Sequence, residues 1–145
     1  MNIKTISAVF TAIFAFLLIG CKQSPYDKAI DYMDELSTEV MAATNDTEYD
    51  AVYNKIVSLN KSEVMTNLRG LSQEQSQTIK VKATELTLEA LAVKAILYVM
   101  PKDVTPTADD ISKLVNECIE KKLDTMSNPY SDVRKLVYEY YHIAE

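Results

Sequence analysis

Histidine occurs once in this chain, tryptophan never, and glycine only at Gly20 and Gly70. Each shortage removes a class of chemistry. Two glycines fifty residues apart cannot build a phosphate-cradling loop, where successive backbone N–H groups must approach the ligand closely. One histidine, His142, lies four residues from the end and has no companion in sequence to act with as nucleophile or orienting group. There is no Cys/His cluster, no His-Glu-x-x-His and no calcium-loop pattern, so no metal or cofactor is expected. Adjacent acidic pairs, Asp34-Glu35 and Asp109-Asp110, splay by about 100° on a helix and suit caps or a solvated face. The expectation is a protein that is not an enzyme.

Strand signals are missing as well. No segment alternates apolar and polar residues over any length, whereas Ala, Leu, Glu and Lys are frequent and helix breakers few. The 15 basic and 21 acidic side chains leave a net charge of −6. That balance speaks against nucleic acid and against electrostatic adhesion to an anionic membrane.

What is present is concentrated first at the N-terminus. Met1-Asn2-Ile3-Lys4 is short, polar and singly positive, and Ile6 to Ile19 follows as 14 residues with only Ser7 and Thr11 polar. That is the length of a signal-peptide apolar region and short of the ~20 residues a permanent membrane helix needs. The run closes on Leu18-Ile19-Gly20-Cys21. Residues 1 to about 24 resemble a bacterial lipoprotein precursor. The resemblance implies removal of residues 1–20 by cleavage between Gly20 and Cys21, with diacylglycerol on the Cys21 thiol and often a third chain on its new amine. One acyl chain holds a protein only marginally and two hold it stably, at ~0.8 kcal/mol per buried methylene. Membrane attachment is therefore expected through lipid on Cys21. Lys22 stands where an aspartate would resemble an inner-membrane retention signal, and no acidic run follows directly. By the same resemblance the expected place is the periplasmic face of the outer membrane, or the outside of the cytoplasmic membrane in a single-membrane bacterium.

The 125 residues left carry 14 basic and 21 acidic groups, a net −7, and suffice for one domain. With Cys21 acylated, Cys118 is the remaining cysteine, so no intramolecular disulfide forms and stability must come from the core.

The domain, residues 25–145 after a short linker at 21–24, reads as about five helices. Ser24-Pro25 is an N-cap with proline at the first helical position, and Ile30, Met33, Leu36, Val40 and Met41 form a stripe to about Ala43. Thr47 and Asp50 take capping-box positions for a second helix with Tyr49, Val52, Tyr53, Ile56 and Val57 inside. Ser58–Ser62 is either a kink or a break in it. Gly70-Leu71 suits a helix end. Ser72 and Gln75 box a third helix running toward Pro101, amphipathic on Ile79, Ala83, Leu86 and Ala90. From Ala90 to Met100 it is apolar on nearly every face except Lys94, so it is expected at the centre of the core, Leu91 and Leu97 included. Thr107 and Asp110 cap a fourth helix with Ile111, Leu114, Val115, Cys118, Leu123 and Met126 inside, and Cys118 reads as a buried, inert thiol. Asn128-Pro129 opens the last, with Val133, Leu136, Val137, Tyr140 and Tyr141. The fold class is an all-α, single-domain bundle, mostly antiparallel.

Nine tyrosines against three phenylalanines are the compositional oddity, and Tyr138, Tyr140 and Tyr141 cluster in the final helix. Tyrosine offers apolar area with a wet hydroxyl, so these three are the candidate binding surface, though such residues equally fill a core–solvent border. The chain looks like the small helical lipoproteins of unknown function of Bacteroides-type bacteria. The expected role is a membrane-anchored binding module with an envelope protein as partner. The alternatives are a small-ligand or lipid carrier and a periplasmic inhibitor or immunity protein.

Overall fold

The computed structural model describes residues 23–123 and 130–144. The expected lipidation and cleavage positions, Cys21 and Gly20, lie outside them, as do Met126 and the Asn128-Pro129 cap. Among the described residues six α-helices and one 3₁₀ turn make an all-α bundle: α1 Pro25–Ala42, α2 Asp46–Val57, the turn Leu59–Lys61, α3 Glu63–Thr66, α4 Gln73–Val99, α5 Ala108–Glu120 and α6 Tyr130–Tyr140. Among the described residues no helix is long and apolar enough to cross a membrane.

Local chemistry sets most of the boundaries. The Ser24 hydroxyl accepts the Asp27 N–H at 3.1 Å, and Pro25 begins α1 where its missing N–H is harmless. Ala29, Met33, Leu36 and Val40 recur at spacings of three and four and are fully enclosed, with Ile30 and Met41 half-buried beside them. The next cap differs from the expected one. Asn45, not Thr47, accepts the Glu48 N–H at 3.0 Å, while the Glu48 carboxylate takes the Thr44 N–H at 2.8 Å. Asn ranks with the best capping residues, and starting at Asp46 puts two acids into the first turn, where the helix dipole favours them.

Ser58–Ser62 is a break. The Ser58 hydroxyl donates to the Asn54 carbonyl at 2.6 Å and the Ser62 hydroxyl to the Leu59 carbonyl at 2.6 Å, so serine oxygens occupy carbonyls that a continuing helix would use. The resulting turn drives Leu59 into the core. The second helix thus ends at Val57, and the expected five helices become six through the short α3. Gly70 adopts φ +62°, the left-handed conformation expected of it, and the Arg69 guanidinium covers the Thr66 and Leu68 carbonyls nearby.

α4 is the central element. Both halves of its Ser72–Gln75 capping box form, and α1, α2, α5 and α6 all pack against it. Along its first half one stripe is buried, Ile79, Leu86 and Ala90. In its second half Ala92, Val93, Ala95 and Ile96 are all enclosed, because neighbours surround the helix there. Leu91 and Leu97 are only half-buried, and Tyr98 is 72 % exposed, so the all-round apolar stretch is not enclosed all round. Small alanines let neighbours come close on one side while the larger side chains lie across the border.

α5 begins with the full Thr107–Asp110 capping box and buries Ile111, Leu114, Val115 and Cys118. It closes by a Schellman arrangement: the Lys122 N–H donates to the Ile119 carbonyl at 3.0 Å and the Leu123 N–H to the Cys118 carbonyl at 3.0 Å. The residue held left-handed, at φ +49°, is Lys122 rather than glycine. α6 ends the same way, with His142 at φ +53°. A side chain in that conformation is disfavoured by roughly 1–2 kcal/mol.

Candidate functional site

Tyr138, Tyr140 and Tyr141 do not form one displayed surface. All three pack partly buried against the core. The Tyr140 hydroxyl donates to Asp110 Oδ1 at 3.0 Å, which pins the end of α6 to the first turn of α5. The Tyr141 hydroxyl is buried beside the same carboxylate at a geometry short of a hydrogen bond, and burial pushes its pKa up to about 12. The two rings meet edge-on with centroids 5.1 Å apart. Asp110 is held below its ordinary carboxylate pKa, first by the Thr107 N–H and hydroxyl and then by the tyrosine hydroxyls. Tyr140 and Tyr141 therefore have packing duties. Tyr138 lies outside this knot, under the Arg134 guanidinium at 5.0 Å, and shares an open hollow with Lys135, Glu139, His142 and Ile143.

The cysteine reading holds. Cys118 is buried, and desolvation pushes its thiol up to about 11, so it stays protonated at neutral pH. His142 is exposed at the end of the chain. Among the described residues no three His, Cys, Asp or Glu side chains are grouped to hold a metal ion.

Between α1 and α4 lies a polar cleft lined by Asp34, Ser37, Lys82, Glu85 and Glu89. The Ser37 hydroxyl donates to Glu89 at 2.5 Å, and Lys82 pairs with Asp34 across the two helices. Burial raises the Glu89 pKa, the neighbouring Glu85 and Asp34 charges raise it further, and Ser37 and Lys82 oppose them. A carboxyl whose folded pKa is raised binds its proton more tightly in the folded chain, so its ionisation opposes folding above that pKa and the penalty lifts as pH falls. Glu89→Gln is expected to raise the urea midpoint at pH 7. At pH 3.5, below the ordinary carboxylate range, the difference from wild type should vanish; a gain equal at both pH values would show that ionisation is not its cause.

A second concavity is apolar. Leu88 and Ala92 of α4 and Cys118, Ile119, Lys122 and Leu123 at the end of α5 line a groove of about 270 Å³. Ala92 and Cys118 are each 2 % exposed, whereas Leu88 at 44 % and Ile119 at 43 % stand open. In sequence a carrier's cavity is expected near the apolar half of the third helix, Ala90 to Met100, and Ala92 of this groove lies in it, whereas Leu88 and Ile119 belong to no core-facing stripe. The available signal was the opposite one, leucine and isoleucine on helix faces that are otherwise polar.

No family model, no curated protein and no solved structure matches this chain.

Proposed function

We propose that this chain is a lipoprotein of the bacterial cell envelope, anchored by lipid on Cys21, whose helical domain works by binding another envelope component. The observation that carries this reading is the order of the N-terminal features: one positive charge, a 14-residue apolar run and Leu18-Ile19-Gly20-Cys21. α1 begins at Pro25, so a mature chain starting at Cys21 would hold its domain close to the lipid. The periplasmic face of the outer membrane is the proposed location, on the strength of Lys22 and the absence of an acidic run after the cysteine.

For contact with a protein, the geometry favours the outer side of α6. Tyr138 supplies an aromatic ring, the residue type enriched at interface centres, and Lys135, Glu139 and His142 make a polar rim around it. A photoreactive residue at Tyr138 of the full chain in intact cells is expected to capture a single protein band. The same residue at Lys113, which is exposed on α5 and paired with Asp109, should capture none. Equal capture from both positions would remove α6 as the contact surface. A turnover activity lost on His142→Ala would replace binding by catalysis.

A further inference from the structure

The apolar groove between α4 and α5 has a chemical asymmetry that the protein-contact reading does not use. Its walls and floor are Leu88, Ala92, Cys118, Ile119 and Leu123, and among the described residues the one charged side chain on it is Lys122. Lys122 makes no ion pair among the described residues, whereas its neighbour Lys121 is paired with Glu117 at 2.9 Å. Lys122 also occupies the left-handed position of the Schellman turn, where glycine would relieve the strain. Strain held at one residue is a pointer to function when that residue also lines a cavity. Among the described residues a cation without an ion pair thus stands at the edge of a hollow with apolar walls, its backbone held by the turn. At about 270 Å³ the groove lies just below the ~300–1,000 Å³ of drug-sized ligand pockets, a size for one flexible chain rather than for a large ring system.

We propose that this groove binds a single-chain anionic amphiphile, a fatty acid, with its hydrocarbon chain along Leu88, Ala92, Ile119 and Leu123 and its carboxylate on Lys122 Nζ. Cys118 contributes a neutral floor. The inference is independent of the contact surface on α6 and of the anchor at Cys21, and it stands or falls without them.

The chain from residue 22 onward contains every described core side chain, so the binding test uses that chain without the lipid anchor. Calorimetry with laurate, below its micelle concentration, is expected to show one site. Dodecyl maltoside, which has the same tail and an uncharged head, should bind the same site more weakly. Lys122→Gly should weaken laurate about tenfold, the effect of losing one hydrogen bond to a charged group. The same substitution should leave dodecyl maltoside unchanged and raise the melting temperature by about 2–5 °C, because the turn strain is relieved. Weaker binding in a more stable protein separates a ligand contact from damage to the fold. Leu88→Gln, at an open position, should weaken both amphiphiles without lowering the melting temperature. Absence of laurate binding, or equal laurate affinity in wild type and Lys122→Gly, overturns the proposal. So does a concentration-dependent dimer that Leu88→Gln disperses, since the groove would then take a second copy of this chain.

Discussion

Ile96→Asp should abolish cooperative folding of the helical domain. Ile96 is fully enclosed in the second half of α4, the helix against which α1, α2, α5 and α6 pack. No charged side chain is buried among the described residues, so an aspartate there meets no countercharge and must either ionise in an apolar surrounding or take up a proton at neutral pH. Together with the lost isoleucine contacts the penalty is several kcal/mol, against a total stability of ~5–15 kcal/mol for a domain of ordinary size. Ile96→Val, which removes one methylene, should lower stability by about 0.5–1.5 kcal/mol and keep the fold. Leu97→Asp is the informative control, since Leu97 is half-buried and its aspartate can turn toward water. Far-ultraviolet circular dichroism during urea unfolding checks all three. A native transition in Ile96→Asp would mean that α4 is not the centre of the core.

Much of this architecture is written into short stretches of sequence. Ser24-Pro25, Ser72 with Gln75 and Thr107 with Asp110 mark helix starts because each places a side-chain acceptor where the first-turn N–H groups need one. Buried stripes such as Met33, Leu36 and Val40 follow from helical spacing alone. Competition between near-equal local signals is harder to read. Asn45 and Thr47 are both good caps, and Glu48 decides between them by accepting from Thr44. Ser58 to Ser62 could bend a helix or end it, and the burial of Leu59 makes it an end.

The candidate sites were less legible, because they depend on which faces neighbours leave uncovered. Tyr140 is tied inward by Asp110, thirty residues earlier, and no local pattern announces that contact. The groove residues Leu88 and Ile119 lie on different helices and meet only after α4 and α5 pack. Lys122 reads in sequence as a helix-end cation; its left-handed backbone and its place at a groove are three-dimensional facts.

The second large effect concerns attachment rather than folding. Cys21→Ala should release the chain from lipid altogether. The apolar run from Ile6 to Ile19 is shorter than the ~20 residues a lasting span of a ~30 Å bilayer needs, and no helix among the described residues is long and apolar enough to cross one. The net charge is negative, so electrostatic attraction to anionic headgroups offers no substitute. On the proposed reading, attachment rests on acyl chains at Cys21, and two chains on one cysteine hold where a single one would exchange. On that reading, removing the thiol would remove the acceptor for the first transfer and, by the resemblance to lipoprotein precursors, block the cleavage that follows it.

Metabolic labelling with palmitate, comparing wild type with Cys21→Ala in the same cells, measures this directly. Wild type should take up label and run as a shortened chain beginning at residue 21, while Cys21→Ala should take up none and keep residues 1–20. Equal labelling of the two chains, or an unlabelled wild type, would contradict anchoring through Cys21.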